Sequence, residues 1–249
     1  MTEQNHSGIT IKVVDSHRNL PEKYWTDLGR FYARNVWSQS AKISAKCVKD
    51  FCIAYELDYA VKWFELCAYK EKKLVGFMRV LRNPDVETHW FFCDVHTDKE
   101  ERRQGVASAM YARAEELVKE FEAAECIEAG ISARNVKSIG LHKKFGFENT
   151  GKKPMFAHFE FEPDETVYRK PLYLEYPALD GEVHGKILRR LFREYYRENG
   201  IEQPKHVTAF IRELLHSGQD FFLVWCGNRP VGFRYTKEGQ EISWIRDSV

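Results

Sequence analysis

The sequence predicts an α/β protein made of one complete domain followed by part of a second. Three observations carry that expectation. Stretches with apolar residues at alternate positions take turns with stretches whose apolar residues recur at three- and four-residue steps. The segment 95–107 runs from a strand through a charged, glycine-containing loop into the clearest helix of the chain. The pattern from Leu66 to Phe77 returns from Phe222 to Phe233 at a constant offset of 156 residues.

The elements follow in order. Ile9–Val14 alternates as a short strand, and Leu20 to about Arg34 is helical, with Pro21 in a first turn that tolerates it. Ser44 to Tyr59 is a second helix. Strands are expected over Phe64–Tyr69, Leu74–Leu81 and Thr88–Thr97, the first two joined by the charged turn Glu71-Lys72-Lys73. After the loop 98–105 comes a helix whose Val106, Ala109, Met110, Leu117, Val118 and Phe121 share one stripe, with Glu115 and Lys119 paired outside. Cys126–Ser132 is a strand and Asn135–Lys144 a helix stopped at Gly146. Met155–Phe161 and Thr166–Leu172 are expected to close the domain as a hairpin. Residues 1–172 thus make the complete domain. Residues 173–249 carry helices over Val183–Tyr196 and Val207–Leu215, the repeated hairpin, and a strand Ile242–Ile245 compared with the one around Trp90–Phe92.

Composition narrows the class. The 249 residues are 43% hydrophobic and 14% aromatic, enough for a sizeable core and unlike a disordered chain. Mean hydropathy is −0.52, no uncharged apolar run approaches the roughly 18 residues of a membrane helix, and MTEQNHSG has no leader pattern. Lys+Arg 38 against Asp+Glu 37 gives no global field to attract nucleic acid or anionic lipid. Six cysteines without a C-x-x-C pair suit a reducing, cytoplasmic setting and offer neither a disulfide framework nor a metal site.

The chemistry centres on Val95-His96-Thr97-Asp98-Lys99-Glu100-Glu101-Arg102-Arg103-Gln104-Gly105-Val106-Ala107. A helix start leaves backbone N–H groups unpaired and carries partial positive charge. Gly105 permits close approach, Ala107 keeps the next turn clear, and Arg102 and Arg103 add charge, so the loop is either a site for a phosphate-rich ligand or an ordinary capped helix with a solvated basic turn. Arg102-x-x-Gly105-x-Ala107 after a V-x-T strand end resembles the coenzyme A signature of the GNAT superfamily of acyl-CoA N-acyltransferases. Asn135-x-x-Ser138-Ile139-x-Leu141-His142-x-x-Phe145-Gly146-Phe147 is similar to that family's second motif, and Leu141-His142 resembles phosphinothricin-type members. The likeness spans residues 9–172, and its front half recurs in 173–249.

The resemblance implies an α+β mixed sheet, twisted and split between the strand ending at Thr97 and Cys126–Ser132, with helices on both faces and acetyl-CoA as cofactor. The pantetheine arm would pair with backbone at Val95 and Thr97. The diphosphate would rest on Arg103, Gln104, Gly105, Val106 and Ala107 beside Arg102. Asn135 is either a helix cap or a contact to the arm, and Ser138 stands beside it. His142 replaces the tyrosine that protonates the departing thiolate in many members, and serves as that acid or as a structural histidine. Phe91 replaces a catalytic glutamate, leaving Asp94 and His96 as candidate bases on one strand face and His89 on the other, with a water relay as the alternative. No cysteine lies in the loop, so direct transfer to a small-molecule amine is favoured over an acyl-enzyme. The remaining readings are acetylation of a protein amine and a non-catalytic acyl-CoA sensor or assembly subunit. Residues 173–249 lack the diphosphate loop and either dock on the first domain or form a homodimer.

Overall fold

The computed structural model describes residues 3–6, 8–37, 40–58, 62–121, 124–156, 159–178, 182–217, 220–237 and 239–246. They fall into two units, Met1–Phe121 with Cys126–Lys170, and Glu122–Glu125 with Pro171–Val249.

In the first unit, alternation at Ile9, Ile11 and Val13 makes strand β2 (Ile9–Val14) and buries all three side chains. Strand β1 (Glu3–His6) pairs antiparallel with it; the polar run Glu-Gln-Asn-His carries no alternation that would reveal it. Helix α1 (Glu22–Asn35) starts behind Pro21 and buries Tyr24, Trp25, Leu28, Phe31 and Tyr32. Helix α2 (Ala41–Asp58) leads to an antiparallel meander of β3 (Trp63–Lys70), β4 (Lys73–Arg82) and β5 (His89–Thr97). Helix α3 (Val106–Lys119) returns the chain so that β6 (Cys126–Ser132) pairs parallel to β5. Helix α4 (Val136–Lys144), β7 (Glu148–Asn149) and β8 (Glu165–Pro171) complete a mixed eight-stranded sheet of order β1-β2-β3-β4-β5-β6-β8-β7.

Neighbouring strand residues face opposite sides, and helices cover both. Phe77, Leu81 and Phe91 pack with Tyr24, Leu28 and Phe31 of α1, whereas Phe92 meets Tyr111 of α3 edge-on at 5.4 Å. Gly76 brings α3 close, because a Cβ there would lie 2.6 Å from Val106 Cγ1. Tyr111 and Ala114 join the expected stripe of α3, while Leu117 and Phe121 are only half-buried.

The expected strand Met155–Phe161 is not formed by its described residues. Alternation there is broken: Phe156 is buried, Met155 is exposed, and Phe159 and Phe161 pack with Phe156 on the cluster around Phe91. The arm facing β8 is instead β7, with Glu148 opposite Arg169 and Asn149 opposite Tyr168.

The second unit has β9 (Leu174–Pro177), α5 (Glu182–Glu198), α6 (Val207–His216), β10 (Phe221–Cys226), β11 (Arg229–Lys237) and β12 (Gln240–Ile245), in sheet order β12-β11-β10-β9. Its core holds Leu188, Phe192, Ile211, Leu223 and Phe233. Strand β9 directly follows the expected boundary at residue 172, where the sequence reading places no element.

The pairing of β10 with β11 reproduces that of β3 with β4. Cys67 faces Phe77 as Leu223 faces Phe233, and both ladders slip at equivalent points, after Ala68 and after Val224. The third strands match at one end, since Thr97 and His96 oppose Gly76 and Phe77 as Ile245 and Trp244 oppose Gly232 and Phe233. Ile245 therefore corresponds to Thr97, and the comparison of Ile242–Ile245 with Trp90–Phe92 is corrected. Beyond that end the strands differ, as β12 continues in register while β5 does not.

Candidate active site

The irregularity in β5 builds the site. Phe77 faces His96 and Arg79 faces Cys93, so Asp94 and Val95 together oppose the single residue Met78. This is a β-bulge, and Asp94 takes a φ of 51° within it. One extra residue reverses the alternation beyond it. His89, Phe91 and Cys93 share the α1 face, and His96 reaches that same face, its ring 5.7 Å from Tyr32. The expectation that His89 and His96 point to opposite faces is thereby overturned.

The bulge also parts the sheet. The ladder between β5 and β6 covers His89 with Cys126, Trp90 with Ile127 and Phe91 with Glu128. Val95 and Thr97 lie beyond that ladder, on the strand end that leads to the loop.

Buried Asp98 folds the loop. Its amide bonds Val75 O, its Oδ1 accepts from Glu100 N at 3.1 Å, and its Oδ2 pairs with Arg34 at 2.7 Å and Lys73 at 3.3 Å. Burial pushes its carboxyl up, but the Glu100 amide, Arg34 and Lys73 hold it below its ordinary value. Gln104 accepts from Lys70 at 2.8 Å, and Arg102 and Arg103 are exposed. Arg103 at φ 65° and Gly105 at φ 86° alternate with ordinary backbone, a sequence of conformations that turns successive N–H groups into one concavity for an anion. The first α3 bond runs from Ala109 N to Gly105 O, so the amides ahead of it have no carbonyl one turn back. A Cβ on Gly105 would meet nothing within 4 Å. The space beside Gly105 at this helix start is thus open.

Across the split, Asn135 Oδ1 accepts from Ser138 N at 3.1 Å and caps α4. His142, 3% exposed, has both ring nitrogens engaged. Nδ1 lies 2.9 Å from Ser138 O and Nε2 2.9 Å from Tyr111 Oη. Ser138 O can only accept, so Nδ1 carries a proton, and Nε2 of the neutral ring then accepts from the Tyr111 hydroxyl. Burial also lowers His142 below its ordinary value. This surrounding suits an anchor between α3 and α4, and it presents no spare nitrogen to a departing sulfur.

Asp94 and His96 do come together. Asp94 Oδ1 is 3.9 Å from His96 Nε2, and its Oδ2 accepts from Arg79 Nη1 at 2.6 Å. Burial pushes His96 below its ordinary value; Asp94 pulls it up, while Arg79 and Arg102 push it down. Burial, with the charge on Asp94, pushes the Cys93 thiol up, so it is a poor nucleophile. Phe91 is buried among Phe156 and Phe161 at 5.5 and 5.8 Å.

Glu65, Arg79, Tyr24, His17 and Tyr32 have no signal in the sequence, since their contacts are distant along the chain. The grouping of His89 with Cys126 and Glu128, whose side-chain donor atoms lie within 4.8 Å of one another, likewise has no mark in the sequence. There Glu128 already accepts two bonds from Arg169, at 2.8 and 2.6 Å, and a guanidinium supplies the charge a cation would.

The first unit is thus a mixed sheet whose central parallel ladder stops short of a bulge, with a helix start behind the strand end. Residues 23–147 match the family model described as "Acetyltransferase (GNAT) family", and the chain belongs to that family, which uses acetyl-CoA. Among solved structures, it is similar to an acetyltransferase of the GNAT family from Staphylococcus aureus (14% identity, 65% of this chain and 98% of that one, TM-score 0.47). It is similar as well to an acetyltransferase from Streptococcus agalactiae (16%, 67% and 100%, TM-score 0.48). A third is the PaiA N-acetyltransferase from Thermoplasma acidophilum, solved in complex with coenzyme A (12%, 65% and 99%, TM-score 0.46). No curated protein matches the chain by sequence. Among the described residues, no helix is long and apolar enough to cross a membrane.

Proposed function

We propose that the first unit is an N-acetyltransferase that moves an acetyl group from acetyl-CoA to a small primary amine by direct attack in a ternary complex. The observation that carries this reading is the bulge in β5, which places Asp94 and His96 on the α1 face within a strand that ends in the phosphate-receiving loop. When bound, acetyl-CoA supplies the acetyl group as an activated thioester.

The amides of Arg103, Gln104, Gly105, Val106 and Ala107 hold the diphosphate, with the charges of Arg102 and Arg103 beside them. Backbone at Val95 and Thr97 pairs with the arm. Asn135 and Ser138 border the far side of the split, where the cap bond occupies Asn135 Oδ1 and leaves its amide nitrogen as the donor. An alkylamine near pKa ~10.4 arrives mostly protonated at neutral pH. Asp94 receives that ammonium, and His96, held neutral, accepts a proton from it. Burial holds the Cys93 thiol protonated, which makes it a poor nucleophile and favours direct transfer over an acyl-enzyme at that residue. His142 fixes α4 against α3, and the leaving thiolate near ~8.5 needs little acid assistance. The second unit is an incomplete copy of the front half, supported by the shared register and the shared slip in the hairpin.

Thiol release from acetyl-CoA across a panel of primary amines, with the product checked by mass spectrometry, tests the reading. Turnover is expected, and His96→Ala should lower kcat about a hundredfold. Tight acetyl-CoA binding with no amine acetylated would sink the enzyme and favour an acyl-CoA sensor.

A further inference from the structure

Beneath the bulge lies a buried set of charges that the proposed reaction does not use. Glu65 of β3 and Arg79 of β4 are directly opposed in the ladder, and both are buried. Arg79 Nε and Nη2 donate to the same oxygen, Glu65 Oε1, at 2.9 and 2.8 Å. The other carboxylate oxygen accepts from Tyr24 Oη of α1 at 2.5 Å and lies 3.2 Å from His17 Nε2. The remaining guanidinium nitrogen, Nη1, reaches the opposite way to Asp94. One side chain thus bridges a buried carboxylate and the carboxylate of the bulge.

We propose that Arg79, anchored by Glu65, is a positioning residue that holds Asp94 in the bulge and through it orients His96 toward the acceptor amine. The inference rests on the reading that Asp94 and His96 serve the acceptor. The Glu65–Arg79 pair serves the fold, but the third bond, from Arg79 Nη1 to the half-exposed Asp94, reaches out of that buried pair to the bulge. Asp94 sits at a φ that a residue with a side chain rarely adopts, and such a conformation persists where its surroundings hold it. Of the three charges, two carboxylates share one guanidinium. Among these three groups the excess is one negative charge, and Asp94 is the end open to solvent, its side chain 36% exposed, whereas that of Glu65 is fully covered. That end suits a single ammonium. Among the described residues, the groups facing His96 are Asp94 from its own strand, Arg79 from β4, Arg102 from the loop and the Tyr32 ring from α1. Arg79 disfavours the imidazolium directly, and it also neutralises the carboxylate that would favour it.

The test compares Glu65→Gln/Arg79→Met, Glu65→Gln alone and His96→Ala in the full chain, by kcat/KM for the amine against pH and by calorimetric titration with coenzyme A. Removing both charges leaves no lone ion buried. The double variant is expected to bind coenzyme A within about twofold of the parent, to lose about thirtyfold in kcat/KM, and to move the acidic limb of the profile up by about half a unit or more. Glu65→Gln keeps the guanidinium, so its limb stays and kcat/KM falls about threefold to tenfold. If the double variant does not fold, unchanged kcat/KM in Glu65→Gln overturns the proposal. Unchanged kcat/KM and limb in the double variant, with His96→Ala inactive, overturn this proposal alone. A His96→Ala enzyme with the parent's rate and limb overturns the acceptor-site reading beneath it.

Discussion

Replacing Gly105 by alanine separates the cost of a backbone conformation from the loss of a ligand contact. Gly105 has φ 86° and ψ −3°, and no heavy atom lies within 4 Å of where its Cβ would be. The substitution therefore causes no clash, and its cost to the fold is that of forcing an L-residue into the left-handed region, about 1–2 kcal/mol. For a chain of this size that corresponds to a fall in Tm of roughly 2–8 °C. Gly200 is the control, since its φ is 63° and its Cβ would likewise meet nothing. Gly200→Ala should cost the same stability. Coenzyme A affinity should separate the two, because a methyl group on Gly105 fills the space in front of the amides. Calorimetric titration is expected to show at least a tenfold weaker Kd for Gly105→Ala, about 1.4 kcal/mol, and an unchanged Kd for Gly200→Ala. Equal Kd values in parent and Gly105→Ala would show that the diphosphate does not rest on this helix start.

Three further expectations come from the same geometry. His142→Phe should destabilise the fold by about 1–3 kcal/mol by stranding the Tyr111 hydroxyl, while kcat per folded molecule stays within about twofold; a hundredfold loss of kcat would restore His142 as the acid. Burial pushes Glu65 up, yet Arg79, His17 and Tyr24 bring it down to about 2. Held that far below its ordinary 4.5, it contributes about 3 kcal/mol, present above pH 4.5 and lost as pH falls toward 2. Urea unfolding between pH 6 and 3 should therefore weaken less steeply in Glu65→Gln, and identical slopes would refute the assignment. Phe233 is fully buried and stacks on Phe192 at 4.3 Å, so Phe233→Ala should cost about 3–5 kcal/mol in denaturant unfolding, and a loss below 1 kcal/mol would contradict the packing.

The legible parts of this chain are those in which chemistry repeats at a local period. The meander β3–β5, the helix α3 and its glycine, and the cap at Asn135 each arise from residues within a turn or a strand of one another. The bulge in β5 leaves no such mark, because an extra residue in an aromatic strand turns the later side chains to the other face without altering the strand's composition. Parity alone separates His89 from His96 for that reason. Glu65 and Arg79 sit at alternate strand positions, where charge ordinarily signals solvent, and only their opposition across two strands makes them an interior pair. His142 is similar, since its partner Tyr111 is 31 residues away. The segment around Met155–Phe161 misleads for the opposite reason, as its phenylalanines cluster on Phe91 instead of alternating.

The two hairpins run in step until β5 gains the residue that β12 lacks. Sequence comparison within the chain would score that difference as a trivial insertion, since the flanking positions align without it. Its effect exceeds its size, because the residues beyond it face the side of the sheet opposite to the one strict alternation would give them. Deleting either Asp94 or Val95 should therefore return β5 to an unbroken register with β4, as β12 keeps with β11, while the flanking pairs Arg79–Cys93 and Phe77–His96 persist.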